Sequence, residues 1–159
     1  MKLNRKAKIL ISVAGAGVVA AIIYSFWHNN TLDNFSCAAS LSQHYSGDNV
    51  DVSLSYTVRG TSGIISINGR SQAHPDKVFN RKISFTMHKE GDVYFMTSKS
   101  NLKFPDDNVD DTWLGEHEPD FFVYPDKSIY MRIDQQENNN YLFMIDTIPT
   151  YVCKSIEEE

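Results

Sequence analysis

Between Lys103 and Asp126 the sequence KFPDDNVDDTWLGEHEPDFFVYPD holds eight acidic residues, three prolines and five aromatic side chains. Carboxylates and amides at alternate positions are the chemistry of a calcium loop. An EF-hand ligates through positions 1, 3 and 5, turns on a glycine at 6 and closes with a glutamate at 12. Counted from Asp106, the first three ligands are Asp106, Asn108 and Asp110, but Asp111 stands at the glycine position and His117 at the glutamate position. The calcium motif fails. What remains is a long acidic loop carrying an aromatic hook, Trp113, Phe121, Phe122 and Tyr124, expected to meet a partner or a barrel mouth. Loops of this length in compact domains are often functional.

Other chemistry is sparse. His28, His44, His74, His88 and His117 are scattered, and no two stand four residues apart as helical metal ligands do. There is no GxSxG elbow, HExxH, phosphate-binding loop or glycine-rich dinucleotide turn. The expectation is a protein that is not an enzyme and holds neither a metal nor a cofactor. The two cysteines, Cys37 and Cys153, lie near opposite ends of the chain beyond its first apolar run. They read as one disulfide if the chain is exported, or as two free buried thiols if it is not.

The compartment is set by the N-terminus. Lys2, Arg5, Lys6 and Lys8 precede residues 9–27, ILISVAGAGVVAAIIYSFW, a run of 19 residues without a charge. At about 1.5 Å per residue this matches a hydrocarbon core of about 30 Å. The run is longer than a signal-peptide core and ends in Tyr24, Phe26 and Trp27, residues suited to the membrane interface. The basic flank stays cytoplasmic, so residues 28–159 face outward, which in a bacterium is the periplasm. The expected organisation is a basic cytoplasmic terminus (1–8), a transmembrane helix (9–27) anchored in the lipid bilayer, a linker (28–34) and a periplasmic domain (35–159). Small residues at Ser12, Ala16 and Ala20, and at Gly17 and Ala21, offer faces for close helix packing. Beyond the basic terminus 11 Lys+Arg face 20 Asp+Glu, a net of −9, which argues against direct nucleic-acid contact.

After residue 34 the dominant signal is period-2 alternation. Val50, Val52, Leu54, Tyr56 and Val58 alternate with Asp51, Ser53, Ser55 and Thr57, and Phe79, Ile83, Phe85 and Met87 share one face of a later run. SGD (46–48), RGTSG (59–63), KEGD (89–92) and QQENNN (135–140) read as turns. The pattern predicts an all-β domain of about eight strands, a small antiparallel meander closed as a barrel or folded as a sandwich. Closure as a barrel sets the first and last strands side by side, where a Cys37–Cys153 bond would be geometrically natural. Val52, Leu54, Tyr56, Phe85, Met87 and Phe143 are the candidate lumen- or ligand-facing side chains, or simply its core.

A basic start, one anchor, a cysteine in FSC soon after it and a last strand ending in YVC resemble the FidL-like membrane proteins of enteric bacteria. The layout is also similar to accessory proteins of the ToxS and VtrC type. These resemblances imply a lipocalin-like β-barrel that pairs as a heterodimer with a single-pass, ToxR-like transcription regulator. They further imply a joint cavity open to a bile-salt-like or lipid ligand. The alternative is a stand-alone anchored carrier or chaperone of a lipid or hydrophobic ligand.

Overall fold

The computed structural model describes the backbone of residues 5–28 and 32–156, and the side chains of 13–25 and 32–156. The chain forms two compact units, Met1–Leu32 and Asp33–Glu159. The first is the helix α1, Arg5–His28. Its described side chains are exposed all round and include Val13, Val18, Val19, Ile22 and Ile23. Among the described residues no helix is long and apolar enough to cross a membrane. The uncharged run 9–27 extends past the described side chains at both ends, and the basic terminus 1–8 and the connector 28–34 lie partly outside the described residues.

The second unit is a closed antiparallel barrel of eight strands in sequence order. These are β1 (Asn34–Tyr45), β2 (Asp48–Arg59), β3 (Ser62–Ser71), β4 (Val78–Glu90), β5 (Val93–Lys103), β6 (Ser128–Gln135), β7 (Tyr141–Ile145) and β8 (Ile148–Ser155). Alternation decides which side chains face inward, because successive residues of a strand point to opposite faces. In β2, Val50, Val52, Leu54, Tyr56 and Val58 are all buried while the residues between them are open or half-open. Two-residue turns join β1 to β2, β2 to β3, β4 to β5 and β7 to β8. Gly60 and Gly91 open two of these turns at φ 59° and 60°, a left-handed conformation that glycine adopts without a Cβ clash.

Two further glycines face inward on β3, where each leaves room for an aromatic ring from β4. A Cβ on Gly63 would stand 2.5 Å from the Phe85 ring. One on Gly69 would strike the Phe79 ring and sit 2.6 Å from the Asp51 carbonyl oxygen. The two rings thus fill the space that glycine leaves, a recognised device for curving a barrel wall.

Closure rests on a narrow seam. β1 and β8 share the paired positions Cys37↔Ser155 and Ala38↔Lys154, extended by Ile156 N–H donating to the Ser36 carbonyl. A disulfide between Cys37 and Cys153, with Cα atoms 5.4 Å apart, crosses this seam from within, and both residues are fully buried. The disulfide reading of the two cysteines therefore holds, and no described cysteine is free.

Candidate functional site

One end of the barrel is covered by the segment between β5 and β6. It contains two single-turn helices, α2 (Asp111–Gly115) and α3 (Asp120–Val123). Asp110 caps α2 by accepting the Trp113 N–H at 2.7 Å, which supplies a partner for one of the free donors at a helix start. Leu114, Phe121, Phe122 and Val123 are buried, and Phe121 meets the Phe85 ring of β4 edge-on at 6.2 Å. Phe122 in turn lies perpendicular to Phe121 at 5.1 Å. The segment is a plug seated by its aromatic residues.

Acidic residues hold its leading edge. Arg81, 2 % exposed and pointing inward from β4, donates from Nε to Asp107 at 2.9 Å and from Nη1 to Asp111 at 2.7 Å. Asp107 also accepts backbone N–H bonds from Asn80 and Val109, and Lys103 stands 3.4 Å away. A buried ion pair is most stable when its remaining hydrogen-bonding capacity is met; Asp107 meets that condition, whereas Arg81 Nη2 has no hydrogen-bond partner. The trailing edge is tied by Asn101 Nδ2 donating to the Phe122 and Val123 carbonyls and by Ser98 Oγ donating to that of Tyr124.

Between these anchors the connection from α2 to α3 places Glu118 in the barrel mouth at 6 % exposure. Its neighbours come from β1, β2 and β8. Gln43 hydrogen-bonds its carboxyl, and Tyr45, Tyr56 and Tyr151 lie close enough for its charge to be felt. The Tyr45 hydroxyl bonds both the Gln43 amide oxygen, at 2.6 Å, and the His117 carbonyl. Tyr56 and Tyr151 share a hydrogen bond of 2.7 Å. Glu118 Oε1 has no hydrogen-bond partner. Burial disfavours the charged form, so it pushes the Glu118 carboxyl up to about 7, opposed by the Gln43 bond. Burial likewise raises Tyr45 to about 12, and Tyr56 and Tyr151 also rise, with Glu118 adding to all three.

A family model for the YqeJ C-terminal domain matches residues 34–153, from the first residue of β1 to the second half of the disulfide. The chain belongs to this family. It is also similar to the uncharacterized protein YqeJ of Escherichia coli (strain K12), 27% identical over 146 residues, covering 89% of this chain and 91% of that one. Coverage on that scale exceeds what residues 34–159 supply, so the similarity reaches back into the segment before the barrel.

Within the YqeJ C-terminal domain the six candidate lumen residues, Val52, Leu54, Tyr56, Phe85, Met87 and Phe143, all lie inside, none more than 5 % exposed. They pack against one another and their neighbours. Tyr56 meets Phe143 at 5.0 Å, and Phe143 stacks on Tyr151 at 4.9 Å. Of the aromatic hook, Phe121 and Phe122 are buried in the mouth, while Trp113 and Tyr124 are half-buried at its rim. Trp113 stacks on His117 at 4.1 Å under the Lys77 ammonium. Among the described residues no cluster of three metal-binding side chains occurs.

Sequence reading missed Arg81, Asp107, Glu118, Gln43 and Tyr151. Three left a trace in strand phase: Arg81 shares the inward phase of Phe79, Ile83 and Phe85, Gln43 that of Phe35, Cys37 and Ala39, and Tyr151 that of Cys153.

The outer wall is divided. From β1 to the start of β6 it is largely polar, with the cross-strand pairs Ser40–Ser53, Ser84–Ser100 and Thr97–Ser128, and exposes Ile64, Leu102 and Tyr130 among them. A groove of about 590 Å³ with a mixed lining crosses β1 to β4 over Ser40, Leu41, Ser53, Asn68, Val78 and Asn80. The β7–β8 hairpin is apolar instead. Its facing positions include Leu142 with Val152, Met144 with Pro149 and Ile145 with Ile148. Ile148 is 68 % and Val152 50 % exposed.

Proposed function

We propose that this chain is a membrane-anchored periplasmic accessory subunit. On this reading its barrel binds the periplasmic part of a ToxR-like, single-pass transcription regulator. The observation that carries the reading is the apolar outer face of the β7–β8 hairpin, where apolar side chains face one another in three pairs, while Ile64, Leu102 and Tyr130 are exposed elsewhere on a largely polar wall. Contiguous exposed apolar surface on a soluble domain marks a contact site. The disulfide fits an oxidising compartment. The uncharged run 9–27 fits an anchor that confines both partners to one plane, where effective concentration replaces a large interface. The layout shared with FidL-like and ToxS-type proteins supports the same pairing.

A lipid carrier requires an interior with room for its cargo. Here Tyr56, Phe85, Phe143 and the plug's Phe121 occupy the interior. On this reading a bile-salt-like ligand would occupy space formed jointly with the partner. The test is purification of the tagged full-length protein in mild detergent with mass spectrometry of what accompanies it. Recovery of a single-pass protein with a cytoplasmic DNA-binding domain, near one to one, is the expected result. Recovery of the protein alone, folded and carrying lipid, would overturn the reading.

A further inference from the structure

A buried carboxyl with an unpartnered oxygen is an expensive feature, and in Glu118 it sits on the segment that closes the barrel. The plug's two edges are held by groups remote from Glu118, namely Arg81 with Asp107 and Asp111 on one side, Asn101 and Ser98 on the other. Its middle is tied to β1 by Tyr45 and Gln43, through the His117 carbonyl and the Glu118 carboxyl.

The groups facing Glu118 are neutral. β1 presents Tyr45 and Gln43, β2 presents Tyr56 and β8 presents Tyr151. On its own segment Glu116 and Asp120 point to solvent, and the His117 ring is turned to Trp113 and Tyr45. None of the described groups acting on Glu118 is a cation. An ionised carboxylate here would have one donor, Gln43, and a second oxygen with none. Leaving a buried charge unpaired is costly, whereas a protonated carboxyl is tolerated.

We propose that Glu118 is a proton-operated latch: protonated, it keeps the α2–α3 plug seated in the barrel mouth, and loss of the proton to solvent frees the plug to open. The carboxylate regains hydration by moving outward, and Phe121, Phe122 and the Phe85 ring beneath them become accessible. The aromatic hook is thus a contact surface of the opened form. This mechanism belongs to the barrel itself and stands independently of which partner the outer wall meets.

Linkage sets the size of the response. With a seated value of about 7 and an ordinary value of 4.5 once open, the opening constant rises roughly tenfold from pH 6 to 8 and roughly 70-fold from pH 5 to 8. The experiment is amide hydrogen exchange on the full-length protein in detergent micelles, corrected for intrinsic rates. The reporters are the Leu114, Phe122 and Tyr124 amides, whose hydrogen bonds lie within the plug. A rise of that order at these amides, with the Leu54 and Ile65 strand amides unmoved, is expected. Glu118→Gln should abolish the rise. Gln43→Leu removes the donor that favours the ionised form and should move the midpoint to higher pH, which keeps the test decisive if the glutamine variant fails to fold. Plug amides insensitive to pH, a rise that persists in Glu118→Gln, or an unmoved midpoint in Gln43→Leu would each overturn the proposal.

Discussion

Removing the Cys37–Cys153 bond should reveal how much of the barrel's closure is covalent. The bond spans 116 residues of sequence, and loop-closure entropy for a ring of that length amounts to about 5 kcal/mol. Little else holds the seam, since β1 and β8 share two paired positions where β1 and β2 share twelve. Residual compactness of the unfolded chain lowers that figure, so Cys37→Ala/Cys153→Ala should cost about 3–5 kcal/mol. For a domain of this size, with an unfolding entropy of about 2.1 cal/mol/K per residue, that is a fall in Tm of roughly 10–20 °C. Thermal melts of the full-length protein in mild detergent, followed by far-UV circular dichroism, read the shift directly. Reductant should lower the wild-type Tm similarly and leave the double variant unchanged. A shift below about 4 °C would refute the argument, because the ladder would then be closing the barrel by itself.

The remaining predictions concern the interior. Asp107→Ala takes one of two carboxylate partners from the buried Arg81 and leaves the Asn80 and Val109 N–H groups without their acceptor, and should cost about 3–5 kcal/mol in denaturant unfolding. Glu118 has a folded value of about 7, above its unfolded one, so its contribution is fully present below about pH 4.5 and lost as pH rises through 7. Unfolding free energies measured from pH 4.5 to 8 should therefore fall by about 3 kcal/mol from this group, and the Glu118→Gln variant should lack that component. Gly69→Ala should lower stability by about 1–3 kcal/mol, because the new methyl meets the Asp51 carbonyl, which cannot rotate away.

The strands were legible because each buries one face. Alternation in Val50–Val58 and in Phe79–Met87 marks inward positions residue by residue, and the glycine-bearing turns punctuate it. The meeting of first and last strands was legible from the two cysteines. The plug was not. Local sequence presents 103–126 as acidic and solvated, yet Asp107 is buried because Arg81 awaits it on β4, and Glu118 because Gln43, Tyr56 and Tyr151 surround it from three strands. Those pairings join distant parts of the chain, and no spacing within the segment encodes them. Phe121 and Phe122 were recognised as a hook, but whether they point to a partner or into the mouth depends on the barrel beneath them.

The accessory-subunit account is tested most directly by photocrosslinking in living cells, with a photoreactive residue placed at Val152 on the apolar hairpin or at Ser53 on the hydroxyl-rich wall. The account predicts that position 152 captures a single-pass protein with a cytoplasmic DNA-binding domain and that position 53 does not. Capture of lipid alone at 152, or equal capture at both positions, would contradict it.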